Sequence, residues 1–225
     1  MTIVVHTVSG APRPWRVLLG LTFKSLDYEI RYLENSKGEL KSKTFMEINP
    51  RGTVPVLEEG PIRICDSIGS LAWLDRAYPE RPLFGSTSLE AANIWQMTTD
   101  FADHLRAACH RLLWPILVEG IRPPSHQSKE YGDLKAAADG VLFELEVLAR
   151  HLSDGRRYLA GDSPTAADAI AFPEVRLLER AIDQKHDIMD SLGLVYLESK
   201  FKQLIIWKRR IAELPGFEQT MPRHW

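Results

Sequence analysis

Apolar positions along this chain change period once, near residue 80. From Thr2 to Val8 they run almost without interruption and are β-branched, as in a strand covered on both faces. Ser9-Gly10-Ala11-Pro12-Arg13-Pro14 breaks the run. Proline suits a first helical turn, and Trp15, Leu18 and Leu19 then recur at helical spacing to about Ser25. Tyr28, Ile30 and Tyr32 alternate with Glu29 and Arg31, which predicts a second strand. Lys37 to Glu47 predicts a short irregular helix that must stop at Asn49-Pro50. Val54 to Leu57 and Ile62 to Cys65 predict two more strands around the turn Glu58-Glu59-Gly60-Pro61. Asp66-Ser67 opens a helix that runs to Tyr78-Pro79. The order β-α-β-α-β-β-α implies a parallel crossover followed by an antiparallel hairpin.

Beyond the linker Pro79 to Ser86, strand signals vanish. Leu89 to Glu119 predicts one long helix bent at Pro115, ended by the break Arg122-Pro123-Pro124. Tyr131, Leu134, Ala138, Val141, Leu145, Leu148 and Leu152 mark an amphipathic helix that Gly155 ends. Further helices are expected from Thr165 and over Ser199 to Glu213. The expectation is an α/β domain over 1–80 and an all-α helical bundle over 87–225.

Composition narrows the function more than the fold. The net charge of −2 gives no basic footprint for nucleic acid. No stretch approaches the ~20 apolar residues of a membrane span, and the first ten residues lack a secretory pattern. Cys65 and Cys109 form neither a disulfide framework nor a metal set, and the seven histidines show no ligand spacing. A cytoplasmic protein without metal, nucleic-acid or membrane partners is expected.

Two short motifs carry candidate chemistry. Proline donates nothing to a sheet ladder, so Val54-Pro55 reads either as an edge strand or as a cis peptide. The cis form would free the Val54 N–H and C=O to pair with an extended peptide ligand. Asp66-Ser67 reads as a helix cap. The same serine and helix N–H groups suit a carboxylate, and the aspartate suits an ammonium beside it. Together they match the α-amino-acid end of a peptide.

The run Asn49-Pro50-Arg51-Gly52-Thr53-Val54-Pro55-Val56-Leu57 followed by Asp66-Ser67-Ile68 resembles the glutathione transferase pattern. So do Trp73 to Pro79, the capping-box stretch Leu159 to Asp168, and the closing helix Ile206 to Phe217. The resemblance implies a thioredoxin-like N-terminal domain, glutathione as co-substrate, a small hydrophobic electrophile as second substrate, a role in detoxification, and a homodimer with Arg76 at its interface. It implies that Val54, beside Pro55 and Thr53, pairs with the cysteinyl backbone of glutathione, that Asp66 and Ser67 hold the γ-glutamyl end, and that Lys41 meets the glycine carboxylate. Phe101, His104, Arg106 and Trp114 fall on the helix that forms the electrophile wall in this family. Thr165 and Asp168 would cap a helix.

The catalytic position departs from the pattern. Aligning the first helix without gaps puts Ala11 where serine- and cysteine-type relatives carry their catalytic side chain. Alanine can neither donate to a thiolate nor form a mixed disulfide. The remaining candidates are the Ser9 hydroxyl, the Arg13 guanidinium and the backbone amides after Ala11. Pro12 and Pro14 bring no N–H. Lowering the thiol pKa by roughly two units takes about 2.7 kcal/mol, within reach of one charged donor. The competing reading is a glutathione-fold binding or protein-interaction module that has lost catalysis.

Overall fold

A computed structural model describes residues 2–122 and 125–225. Pro123 and Pro124, within the expected break at Arg122-Pro123-Pro124, lie outside the described residues.

Four strands form one mixed sheet: β1 (Ile3–Thr7), β2 (Tyr28–Tyr32), β3 (Val56–Glu59) and β4 (Ile62–Ile64), in the order β2-β1-β3-β4. β1 and β2 are parallel, with Val5 opposite Ile30, and α1 (Pro12–Lys24) crosses over between them. β3 runs antiparallel to both β1 and β4, closing the expected hairpin. Helix α1 is buried along nearly its whole length, which its apolar composition requires. Leu71 of α3 (Ser67–Ala77) lies against Gly20 of α1, where a Cβ would come within 2.3 Å of the leucine methyl. Between β2 and β3 lie two 3₁₀ turns and α2 (Lys43–Ile48), capped by Ser42 and stopped at Asn49.

The helical domain follows the linker, where Asp75 Oδ1 accepts from the N–H groups of Leu83 and Phe84. Its first helix, expected as one run, divides into α4 (Ser88–Asp100), a π-helical turn over Phe101–Leu105, and α5 (Arg106–Leu117). Pro115 lies inside α5, which continues to Leu117. Helices α6 (Lys129–His151) and α7 (Ala166–Gln184) pack beside α5. Two short helices, α8 (His186–Ser191) and α9 (Leu197–Lys200), precede α10 (Lys202–Ala212).

Asp168 anchors this domain. Its carboxylate is fully buried and accepts from the Thr165 N–H and hydroxyl, the Leu159 N–H and the Trp207 indole. One side chain thus ties the start of α7 to the preceding loop and to α10, a wider role than closing one helix. The two domains meet where α1 packs on α7. There Arg16 and Glu174, both almost fully buried, pair at 2.7 Å.

Candidate functional site

The domain boundary opens into a cleft of about 320 Å³. Its sheet-side wall is the loop and first turn Ala11–Pro14 together with Val54. Its helical wall comes from α5, mainly Arg106, His110, Leu113, Trp114 and Leu117, with Glu174 and Leu177 of α7.

The sheet-side wall is built from local backbone geometry. Asn49 is buried and binds its own loop: its Nδ2 donates to the Thr53 carbonyl at 2.7 Å and its Oδ1 accepts from the Arg51 N–H at 3.1 Å. Gly52 has φ +58°, and a Cβ there would lie 2.6 Å from the Leu40 carbonyl and 2.8 Å from Lys41 Nζ. Glycine is therefore required, and Lys41 is held against this turn by a bond to the Arg51 carbonyl at 3.1 Å. The Val54–Pro55 peptide is cis. β3 starts at Val56, two residues later than the apolar pattern predicts, and it is an interior strand, which overturns the edge-strand reading. Val54 stands outside the ladder, and its N–H and C=O have no partner among the described residues.

Asp66 caps α3, its Oδ1 accepting from the Gly69 N–H at 2.8 Å. The second carboxylate oxygen is free, as are the N–H groups of Ser67 and Ile68 among the described residues. Ser67 is buried to 2% exposure at this helix start.

The Ser9–Arg13 loop divides by direction. Ser9 does not line the cleft. Its oxygen accepts from the Arg223 N–H at 3.0 Å and lies 3.0 Å from His224 Nδ1. Only about 10 Å³ is open beside it. Partial burial and Arg180 hold the His224 imidazole below its ordinary pKa. The neutral ring can then accept the Ser9 proton through Nδ1. Trp225 packs edge-on against Trp15 at 5.0 Å and under Arg180, so residues 220–225 form a strap over this loop.

Ala11 and Arg13 do line the cleft. The Ala11 N–H is used by the Val8 carbonyl, and prolines occupy positions 12 and 14. The Arg13 N–H is therefore the first-turn amide left free among the described residues, and its exposed guanidinium is unpaired there as well. Behind it, burial pushes the Arg16 guanidinium below its ordinary pKa. The Glu174 partner opposes that shift, while the charges of Arg13 and Arg106 add to it. The exposed Arg13 guanidinium and the helix dipole both put positive charge at the start of α1.

Cys109 borders the cleft, but burial drives its thiol well above the ordinary cysteine value, so it remains protonated. Phe101 and His104 are not in the cleft. The π turn rotates Phe101 into the core at 1% exposure, against His151, and leaves His104 exposed elsewhere. Of the four residues placed on this helix wall, Arg106 and Trp114 do reach the cleft. The pattern missed Glu174, although a glutamate inside the apolar run Ala166–Leu178 signals a buried cation partner. Among the described residues no group of acidic, histidine or cysteine side chains could hold a metal, and no helix is long and apolar enough to cross a membrane.

Residues 11–77 match the glutathione S-transferase N-terminal domain and residues 107–215 the C-terminal domain. Glutathione S-transferase Z2 of Arabidopsis thaliana is 30% identical over 92% of this chain and 85% of its own length. Elongation factor 1-gamma 2 of Oryza sativa subsp. japonica is 30% identical over 76% of this chain, which is 39% of that protein. The crystal structure of a glutathione S-transferase from the Antarctic clam Laternula elliptica superposes with a TM-score of 0.82 at 26% identity, covering 100% of this chain and 94% of that one. Sequence and fold agree, and the chain belongs to the glutathione S-transferase family.

Proposed function

We propose that this protein binds glutathione along its sheet-side wall, ionises the thiol at the start of α1 and directs the sulfur onto a small hydrophobic electrophile in the cleft. Val54 offers an unpaired N–H and C=O to the cysteinyl backbone. Asp66 and the free amides at Ser67 offer a carboxylate and two donors to the γ-glutamyl end. Lys41, held at the Arg51–Gly52 turn, offers a charge to the glycine end.

The observation that carries the reading is Arg13, whose amide and guanidinium are both free on the cleft beside Ala11. A cation and an N–H at a helix start favour the thiolate over the thiol, the role a hydroxyl plays in the serine-type pattern. Ser9, engaged by the strap, contributes to this reading only through the shape of the loop. The same reading carries a closed two-fold homodimer in the cytoplasm, with exposed Arg76 at its interface. A sedimentation mass equal to one chain at micromolar concentration would overturn the dimer.

The test of catalysis is the ultraviolet absorbance of bound thiolate, titrated in the wild type and in Arg13→Ala. The expected wild-type pKa lies roughly two units below that of free glutathione, and Arg13→Ala raises it by about a unit or more. An unshifted pKa in the wild type would favour the second reading, a non-catalytic binding or interaction module. Alanine at position 11 and the similarity to elongation factor 1-gamma 2 give that reading its support.

A further inference from the structure

The cleft carries more positive charge than a glutathione thiolate needs. Its lining includes two arginines, Arg13 and Arg106, and a single carboxylate, Glu174, which is already committed to Arg16 at 2.7 Å. Arg13 lies beside Ala11 and answers the sulfur. Arg106 stands on the opposite wall, among the residues that face the second substrate. Its Nε donates to the Ala102 carbonyl at 3.3 Å, which fixes the fork, while both Nη groups have no partner among the described residues. A guanidinium held by one edge with the other edge open is arranged for a planar, two-oxygen anion.

The surroundings of Arg106 specify the rest of the molecule. One turn along α5, His110 stacks on Trp114 with ring centroids 5.3 Å apart and planes 22° apart. Leu113 and Leu117 continue the wall, and Trp114 is 46% exposed, with its indole N–H spent on Glu119. What remains exposed is a flat apolar face ending at a free cation.

We propose that the second substrate is an aromatic acid: a flat electrophile whose ring lies against Trp114 and Leu113 and whose carboxylate pairs with the open edge of Arg106. This rests on the transferase reading and narrows it from a hydrophobic electrophile to one bearing an anion. With 4-chloro-3-nitrobenzoate, glutathione sulfur bonds to the ring carbon that carries chlorine. Chloride leaves with the bonding pair, and the thiol proton passes to water.

Binding of ready-made conjugates tests the inference without relying on turnover. S-(4-carboxy-2-nitrophenyl)glutathione and its neutral 4-carbamoyl counterpart are titrated by calorimetry into wild type, Arg106→Gln and Arg106→Lys. The wild type is expected to bind the carboxylate at least tenfold more tightly. Arg106→Gln should bring that ratio to within twofold of unity, and Arg106→Lys should keep part of it. Equal affinities in the wild type, or a ratio that survives Arg106→Gln, overturn the inference. If the preference holds but neither 4-chloro-3-nitrobenzoate nor 1-chloro-2,4-dinitrobenzene is turned over, the inference stands as a binding specificity and the transferase reading falls. If neither conjugate binds, both fall.

Discussion

The two walls of the cleft are built by different means. The sheet-side wall presents backbone: an unpaired peptide unit at Val54 and a free amide at Arg13, with further free amides at the start of α3 in the same domain. The helical wall presents side chains from α5 and α7, held in place by buried charges deeper in the molecule. Backbone groups at element ends recognise what every peptide shares, and a short stretch of chain suffices to place them. Side chains on separate helices recognise what differs between substrates, and their placement depends on the whole packing. On the proposed function, the constant substrate and the variable one meet different kinds of structure.

If that division is correct, damage to the buried charges should unsettle the helical wall most. Glu174→Ala leaves the Arg16 guanidinium buried and unpaired, and should cost about 3–5 kcal/mol in chemical denaturation. Equal loss in Glu174→Gln would show that the charge matters, whereas a mild effect there would point to hydrogen bonding alone. Asp168→Ala strands four donors, two of them wholly internal, and should cost about 2–4 kcal/mol. A loss of only ~1 kcal/mol would reduce Asp168 to an ordinary helix cap.

On the sheet side, Asp66→Ala should act on the ligand more than on the fold. It should weaken glutathione binding by roughly 1.5–3 kcal/mol in calorimetry. Unchanged affinity with an intact fold would move the ligand away from α3.

Ser9 gives the finest test. Ser9→Ala should cost about 0.5–1.5 kcal/mol of stability and leave the bound thiol pKa where it was. A raised thiol pKa in this variant would return Ser9 to the catalytic centre. Acid should loosen the same contact. Because the folded state holds the His224 pKa below its ordinary value, its contribution is present above the unfolded imidazole pKa and is lost as pH falls through the folded one. Trp225 fluorescence would follow the change, and a signal flat across that range would mean the imidazole does not hold the strap.

The same division governs how much could be read from sequence. The order of elements along the chain, the hairpin and the Asn49–Pro55 and Asp66–Ser67 motifs were legible because each is set by residues within a few positions of one another. Even there the apolar pattern placed β3 two residues early, since Val54 is hydrophobic but lines the cleft and stands outside the ladder. On the helical side, periodicity located α6 and α7, but it could not rotate them. Phe101 looks like a cleft residue by its position and is turned into the core by a π turn that has no local signature. The short helices α8 and α9 also lacked any clear period. Ser9 was the nearest hydroxyl in sequence, yet its partners lie 214 and 215 residues away, beyond any local pattern.

That separation has a consequence for the order of synthesis. At about 5–20 residues per second, roughly 10–40 s pass between the emergence of Ser9 and that of Arg223. The first strand and helix can assemble early, but the hydroxyl of Ser9 and the indole of Trp15 wait for partners made more than two hundred residues later. The β1–α1 loop that borders the cleft is thus made well before the strap that fixes it.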